Sequence, residues 1–474
     1  MKRRATIETN SLILEGIHYR SGEAIRVGIR NELIHTVTRM EPGKGTPVGK
    51  GTPVGKGTPV GKGTPGGQVQ PGGPGGESPR SLPVIAPGMT ELQVNGFMGV
   101  DFNDGALTPA ELEKAAGELL KSVVTRFYPT LITGPSERTE HLIRTIAGVV
   151  PDGGDGCEGR DEGTEGRDVG TEGRDEGTEG RDVGTEVMER ENGSPRRQRR
   201  SLAALMIGGI HLEGPFISKE DGPRGAHPLE HCLDPDIGLI ERWQEAAGGM
   251  IRILTLAPEL PGAVPLIRRC MDLGIRVAIG HTACRTGQLK AAVDAGAVLS
   301  THLGNGAHGM LPRHPNYIWD QLAEERLWTS MIADGFHLPD SVLKVFIRVK
   351  GEKAILVSDA MPYSGLEPGL YQSPATGSFR VTEEGKLHVE GQPGTLAGSA
   401  GKLIDGVRRI ARLEGLGYAW DMASAHPATL MGVPENLGLH VGAPADLVLL
   451  DPESLEIRNV YKCGKEYTAY MFPE

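Results

Sequence analysis

Paired cysteine chemistry is what this 474-residue chain most plainly lacks: its five cysteines (Cys157, Cys232, Cys270, Cys284, Cys463) form no CxxC pair and no dense framework. That argues against a thiolate zinc site or a disulfide scaffold and for a reducing cytosol. Cys284 lies close to His281 in sequence, and its expected role is a small buried filler. Positive charge is also short. A net charge of −11 leaves no basic surface to displace counterions from phosphates, so the expected partner is a small molecule and not nucleic acid. No apolar run reaches transmembrane length, and Met1-Lys-Arg-Arg4 is not followed by the apolar core of an export signal. The expected location is therefore the cytoplasm, with no membrane partner. Hydrophobic content is a low 38%, largely because residues 43–76 and 152–200 hold 26 of the 69 glycines; the rest reads as an ordinary globular enzyme.

Those two stretches are repeats. Gly43 to Gly76 repeats Gly-Lys-Gly-Thr-Pro-Val with a period of six, and Glu158 to Thr185 repeats Glu-Gly-Arg-Asp-x-Gly-Thr with a period of seven. Each unit has at most one apolar side chain, so stacking would bury almost nothing against the entropy lost, and disorder is expected. Two glycines per seven residues and no apolar a/d pair exclude a coiled coil. The basic cluster Arg196-Arg-Gln-Arg-Arg200 reads best as a solvated loop end.

Elsewhere, apolar runs alternate with amphipathic stretches. Eight strands are expected at Met89–Val94, Arg126–Leu131, Met206–Leu212, Arg252–Leu256, Arg276–Gly280, Val298–His302, Trp328–Ala333 and Ala354–Ser358. Helices are expected over Ser136–Val149, Thr286–Ala295 and Pro339–Lys350, and after Thr108-Pro109-Ala-Glu111, which combines an N-cap, a proline at the first helical position and a capping-box glutamate. This alternation predicts a (β/α)8 barrel over residues 87–436, with the 152–200 repeat inserted on the face away from the mouth. Strand signals at Ser11–Leu14, Ala24–Ile29, 442–451 and Ile457–Tyr461 predict that residues 1–86 and 437–474 pair into a small β-sandwich.

Chemistry-bearing residues recur at the ends of the expected strands. His211-Leu-Glu213-Gly-Pro215, Gly280-His281-Thr282, Thr301-His302-Leu303 and Ser358-Asp359-Ala360 each follow a buried-type run. Side chains at the C-terminal ends of parallel barrel strands point into one mouth, so residues far apart in sequence can meet around one ion. Any one of these taken alone is more simply a strand-end hydrogen bond, a satisfied core histidine or a loop cap. One glutamate, two histidines and a spare aspartate together are what a hydrolytic metal site requires: ligands for a divalent cation and a carboxylate to move protons. Asp359 is the expected general base and then general acid.

With these and other motifs the chain resembles the amidohydrolase superfamily, and within it the N-acetylglucosamine-6-phosphate deacetylases. The motifs, in order, are Pro87-Gly-Met-Thr-Glu-Leu-Gln93-Val-Asn95-Gly96, His211-Leu-Glu213-Gly-Pro215-Phe216, Gly225-Ala226-His227, Gly280-His281-Thr282, Thr301-His302-Leu303, Asp334-Gly335-Phe336-His337, Ser358-Asp359-Ala360-Met361, Gly394-Thr395-Leu396-Ala397-Gly398-Ser399-Ala400 and Gly442-Ala-Pro-Ala-Asp446-Leu447. The resemblance implies that Glu213, His281 and His302 ligate one divalent metal per subunit, zinc first, with iron or cobalt also accepting the set, and that Asp359 is the acid–base. Gln93 and Asn95 stand where many amidohydrolases have a His-x-His pair for a second metal. Neutral amides are poor zinc ligands, so one ion and a supporting role for both amides are expected.

On the substrate side the resemblance implies that His227 meets the sugar and its N-acyl carbonyl, that Arg313 and Asn305 meet a 6-phosphate, and that His337 reaches the phosphate from a neighbouring subunit, making a homodimer. Ala226, Gly306 and Leu396 complete the implied substrate contacts. The chain departs from the family pattern nearby: Gly304 replaces an aromatic, Gly306 an alanine, and His308 and His314 add imidazoles. These changes widen the pocket wall and leave open another, or an unphosphorylated, N-acyl amino sugar. An N-acyl amino acid deacylase or cyclic-amide hydrolase is a further enzymatic alternative, and a non-catalytic barrel scaffold is the alternative of another class.

Overall fold

The computed structural model describes residues 11–41, 82–150, 200–373, 377–433 and 438–467; both repeat tracts and Cys157 lie outside them. Strands β1 (Ser11–His18), β2 (Ala24–Arg30) and β3 (Leu33–Arg39) form an antiparallel meander, and β4 (Val84–Pro87) pairs parallel with β1. Next come β5 (Met89–Val94) and a two-stranded ribbon, β6 (Gly96–Phe97) with β7 (Val100–Asp101).

Strand β5 heads a sheet of eight parallel strands, continued in spatial order by β8 (Val124–Ile132), β9 (Ile210–Glu213), β10 (Ile251–Leu256), β11 (Arg276–Ile279), β12 (Ala297–Ser300), β13 (Trp328–Ile332) and β14 (Ala354–Val357). The sheet closes where Asp359 N–H donates to Gln93 O (3.0 Å) and Asn95 N–H to Ala360 O (2.8 Å), completing a (β/α)8 barrel. Seven of the strands each place an apolar residue in one interior cluster: Leu92, Tyr128, Ile253, Ala278, Leu299, Ile332 and Ile355, joined by Val357. The eighth, β9, carries His211, which bonds Leu92 O (3.0 Å) and Thr255 Oγ1 (2.8 Å) and is thus a satisfied core histidine.

Helices α1 (Pro109–Lys121), α2 (Ser136–Ala147), α3 (Leu202–Met206), α4 (Ile237–Ala246), α5 (Ala263–Asp272), α6 (Thr286–Ala295), α7 (Tyr317–Ala323) and α8 (Asp340–Lys350) lie between the barrel strands. At the start of α1, Thr108 Oγ1 accepts from Glu111 N–H (3.3 Å) and Glu111 Oε2 accepts from Thr108 N–H (2.9 Å), the reciprocal cap expected there. One expected strand is corrected. The strand expected from Met206 begins at Ile210, and Met206 ends α3. Ser201 Oγ accepts from Ala204 N–H (3.1 Å) as a local N-cap, and Glu113 of α1 adds a distant one by accepting the backbone N–H groups of Leu202 (2.9 Å) and Ala203 (2.8 Å), so a short helix starts inside an apolar run.

After β14 the chain makes an antiparallel sheet not foreseen from sequence, β15 (Gly369–Ser373), β16 (Gly377–Val381), β17 (Leu387–Val389) and β18 (Gln392–Leu396), then α9 (Leu403–Glu414), α10 (Leu416–Ala423) and α11 (Ala425–Met431). The final strands β19 (Leu447–Leu450), β20 (Ile457–Lys462) and β21 (Lys465–Glu466) join β4, so one seven-stranded sheet contains both ends of the described chain. It folds over its own core of Leu14, Ile25, Val27, Ile85, Leu447 and Tyr461, and Ile34 N–H donates to Ala443 O (2.8 Å) where the two halves meet. Cys463, at the end of this sheet, is disulfide-bonded, whereas Cys232, Cys270 and Cys284 are free and buried. The expectation of no disulfide, drawn from the absence of a CxxC pair and a dense framework, is corrected at Cys463. Among the described residues no helix is long and apolar enough to cross a membrane.

Candidate metal centre and active site

Strand β9 ends on Glu213, and the first turns after β11, β12 and β14 carry His281, His302 and Asp359. Glu213, His281 and His302 are buried and Asp359 half-buried at the same end of the barrel; the three last have φ of +49°, +28° and +49°. Non-glycine residues in this left-handed region cost energy, and the cost is tolerated where surrounding structure dictates the conformation. Here the turn re-aims each side chain from the strand's direction across the mouth.

Glu213 Oε1 lies 3.1 Å from His281 Nε2 and 2.8 Å from His302 Nε2, and the two nitrogens are 3.2 Å apart. On the other side of its ring, His281 Nδ1 donates to Pro223 O (2.8 Å); a carbonyl can only accept, so the proton sits on Nδ1 and Nε2 presents its lone pair. A carboxylate oxygen and an imidazole lone pair thus face one point together with His302 Nε2. This donor set fits a divalent cation, and the Nδ1–H···O=C bond is the arrangement that orients ligating histidines. Burial opposes charge on Glu213, but its close contacts with the His281 and His302 imidazoles prevail and hold its carboxyl well below the usual range. Burial likewise works against charge on His302, and the Glu213 carboxylate overrides it, raising the imidazole above its ordinary value.

Asp359 stands beside this cluster, connected by amides. Gln93 Nε2 donates to Glu213 Oε1 (2.8 Å) and to Asp359 Oδ1 (3.2 Å), and Asn95 Nδ2 donates to Asp359 Oδ1 (2.8 Å). Burial, then the nearby Glu213 carboxylate, push the Asp359 carboxyl up to about 6. A carboxyl held near neutrality can both take and give a proton.

The remaining expected residues divide into those at the cluster and those outside it. His227 is buried, accepts or donates at Thr133 Oγ1 (2.9 Å) and sets its ring edge-on to His281, 4.4 Å between centroids; burial pushes it down to about 3, so it is neutral. Gly306 also lies against this ring: an added Cβ would lie 2.6 Å from His281 Nδ1, and φ is +54°. Asn305 donates to His302 O (3.3 Å) and is half-buried. Ala226 and Arg313 are exposed on the loops that follow β9 and β12, and Gly304 is exposed with φ of +94°. His337 bonds Asp334 Oδ2 (2.7 Å) within its own chain. Leu396 ends β18 and is half-buried. His308 joins Tyr317 Oη (3.0 Å) to Glu220 (3.2 Å), tying the two mouth loops together, and His314 is exposed.

Three supporting residues escaped the sequence reading. Glu259 accepts from Thr282 Oγ1 (2.5 Å) and Ala283 N–H (2.6 Å), fixing the turn after His281. Thr133 partners His227, and Glu91 sits inside β5 with 1% of its surface exposed. An acid inside a strand that is buried along its whole length was the available signal for Glu91. Glu259 and Thr133 lie on loops and carry none.

No protein-family profile matches the chain. Curated relatives do: it is 32% identical over 396 residues to N-acetylglucosamine-6-phosphate deacetylase of Bos taurus, covering 81% of this chain and 83% of that one. The Homo sapiens protein of the same name is 31% identical, with 81% and 83% covered. N-acetylgalactosamine-6-phosphate deacetylase of Escherichia coli O157:H7 is 28% identical over 392 residues, with 81% and 88% covered. Among solved structures, N-acetyl-D-glucosamine-6-phosphate deacetylase of Mycobacterium smegmatis superimposes with a TM-score of 0.70 at 24% identity, covering 96% of this chain and 99% of that one; this likeness speaks for the fold. The identity and coverage of the curated relatives settle the family: the chain belongs to the N-acetylglucosamine-6-phosphate deacetylases, amidohydrolases on a (β/α)8 barrel.

Proposed function

We propose that this protein hydrolyses the acetamide of N-acetylglucosamine 6-phosphate, releasing acetate and the free amine. The observation that carries the reading is the convergence of Glu213, His281 and His302 beside an Asp359 whose carboxyl is raised to about 6. A divalent cation bound by those three residues, most suitably zinc, would polarise the scissile carbonyl and acidify water. Asp359 takes the proton from the attacking water as the C–O bond forms, and passes it to the nitrogen as the C–N bond breaks. Gln93 and Asn95 hold Asp359 in line through the amide bonds described above. His227, neutral and buried, offers a hydrogen bond to the acyl carbonyl.

Arg313 and Asn305 are proposed to receive the phosphate, a forked guanidinium matching its oxygens, with Ala226, Gly306 and Leu396 shaping the sugar pocket. His337 is assigned to a partner subunit's phosphate, in a cytoplasmic homodimer. Exposed Trp319 on α7, Phe336 before α8, and Val345 and Val349 on α8 supply apolar surface for such an interface. A second reading, an epimeric or unphosphorylated N-acyl amino sugar, draws on the absence of a side chain at exposed Gly304.

Steady-state kinetics on N-acetylglucosamine, its 6-phosphate and the galacto epimer's 6-phosphate test both readings. Asp359→Asn should lower kcat by about 100- to 10,000-fold with metal content unchanged. Arg313→Ala should raise KM for the phosphorylated sugar alone; an unchanged KM would end the phosphate assignment.

A further inference from the structure

The barrel has a seam. Strands β5 and β14 are the two edges of the eight-stranded sheet, and no ladder runs between them along their length; their one bridge, between Val94 and Ala360, lies at the mouth. Below it the backbone just after β14 presents an N–H, on Ser358, toward β5. Glu91 fills this gap: its Oε2 accepts from Ser358 N–H (3.0 Å) and its Oε1 from Gln93 N–H (3.2 Å). One fully buried carboxyl therefore ties both edges together, one residue before Asp359 and at the backbone of Gln93. Immediately above, Asp359 N–H donates to Gln93 O at 3.0 Å.

A carboxyl is an expensive way to close a sheet, since an apolar residue with a regular ladder would cost no desolvation. Burial raises this group to about 8, and its backbone donors offset only part of that cost. What the carboxyl supplies that a ladder does not is one group bonded at once to the backbone of Gln93 and of Ser358. Strand β5 shifts register against β8 between Glu91 and Val94, and within that stretch the Gln93 side chain reaches both Glu213 and Asp359. Asp359, with φ of +49°, is fixed by neighbours on each side: Ser358 by Glu91, Ala360 by Asn95 N–H.

We propose that Glu91 is a positioning residue for the reaction, setting the Gln93–Asp359 pair by bridging the barrel seam. It acts through other residues and touches neither substrate nor metal ligands. The inference rests on the deacetylase reading, and the test separates the two. The wild-type holoenzyme is first assayed on N-acetylglucosamine 6-phosphate; lack of turnover there defeats the functional reading itself. Given turnover, Glu91→Gln keeps the volume and removes one acceptor, and Glu91→Asp keeps both acceptors but withdraws them by one methylene. In Glu91→Gln, kcat should fall on the order of 10- to 100-fold, as for sub-ångström to ångström displacement of a catalytic group, with KM and bound metal within about twofold. In an Asp359→Asn background the same change should cost less than about twofold, because the group it positions is already disabled. A normal kcat in metal-loaded Glu91→Gln, or an equal loss in the Asp359→Asn background, overturns the proposal. Failure of both Glu91 variants to fold or load metal also overturns it, by assigning Glu91 to the framework alone.

Discussion

Asn95 offers a direct test of how the site sets the acidity of Asp359. Its Nδ2 donates to Asp359 Oδ1 at 2.8 Å, and this hydrogen bond favours the carboxylate, opposing the burial and the Glu213 charge that raise the group to about 6. Asn95→Asp is nearly isosteric and replaces that donor with a second carboxyl. Two unit charges 2.8 Å apart interact by about 6 kcal/mol at an effective dielectric of about 20, against ~1.4 kcal/mol per pKa unit. The pair cannot carry both charges and will share one proton, as closely apposed carboxyls do, so the shift realised is smaller than the bare Coulomb value. Asp359 must be ionised to act as a base, so activity is present above its pKa and lost as pH falls through it. The acid limb of kcat/KM should therefore move up by at least about one pH unit in Asn95→Asp. Asn95→Ala, which removes the donor without adding charge, should move it up by less. A bound cation determines where the limb starts and not which way it moves. The measurement is a pH–rate profile from about pH 4 to 9 on metal-loaded protein. A limb that stays in place or moves to lower pH in Asn95→Asp refutes both the role of Asn95 and Asp359 as the group that titrates.

Chelation should remove activity and lower the melting temperature by about 3 °C or more, since a ligand at a hundred times its Kd stabilises by about 2.7 kcal/mol; differential scanning fluorimetry with and without added zinc reads this, and an unchanged melting point would contradict the ligand set. Asp446→Ala should destabilise the fold by about 3–5 kcal/mol in urea titration, because Lys462, whose Nζ sits 2.6 Å from Asp446 Oδ2 with 3% of the side chain exposed, is left charged and buried; a loss under about 1 kcal/mol would refute the pairing's importance. Replacing residues 152–199 with a short flexible linker should leave kcat within about twofold, and a tenfold loss would mean that the repeat serves the reaction.

How far the fold could be read depended on whether the cause of each element was local. Seven of the eight barrel strands carry continuous β-type runs bounded by turns, and the Thr108–Glu111 cap is complete within four residues, so both were visible in the sequence. Helix α3 was not: its five residues are as apolar as the strand that follows, its Ser201 cap is a single residue, and the carboxylate that completes the capping comes from Glu113, far away in the chain. The β15–β18 insertion was missed for a related reason: short, weakly apolar strands owe their stability to a small shared core of Tyr363, Phe379, Val381 and Leu387, which no single run announces.

The site followed the same division. Ligand candidates were legible because barrel topology sends strand ends to one mouth, which turns four scattered motifs into one constellation. Their orientation was not legible, since it depends on positive-φ turns at His281, His302 and Asp359 and on backbone acceptors such as Pro223 O, which any residue type can provide. Glu91 shows the limit most clearly. Composition alone presents it as a misplaced acid in a buried strand, and its position gains meaning only once β14 has come round to meet β5. A carboxyl that spans a closing seam depends on contacts separated by most of the barrel, so its effect on Asp359 belongs to the closed tertiary structure and to no local segment.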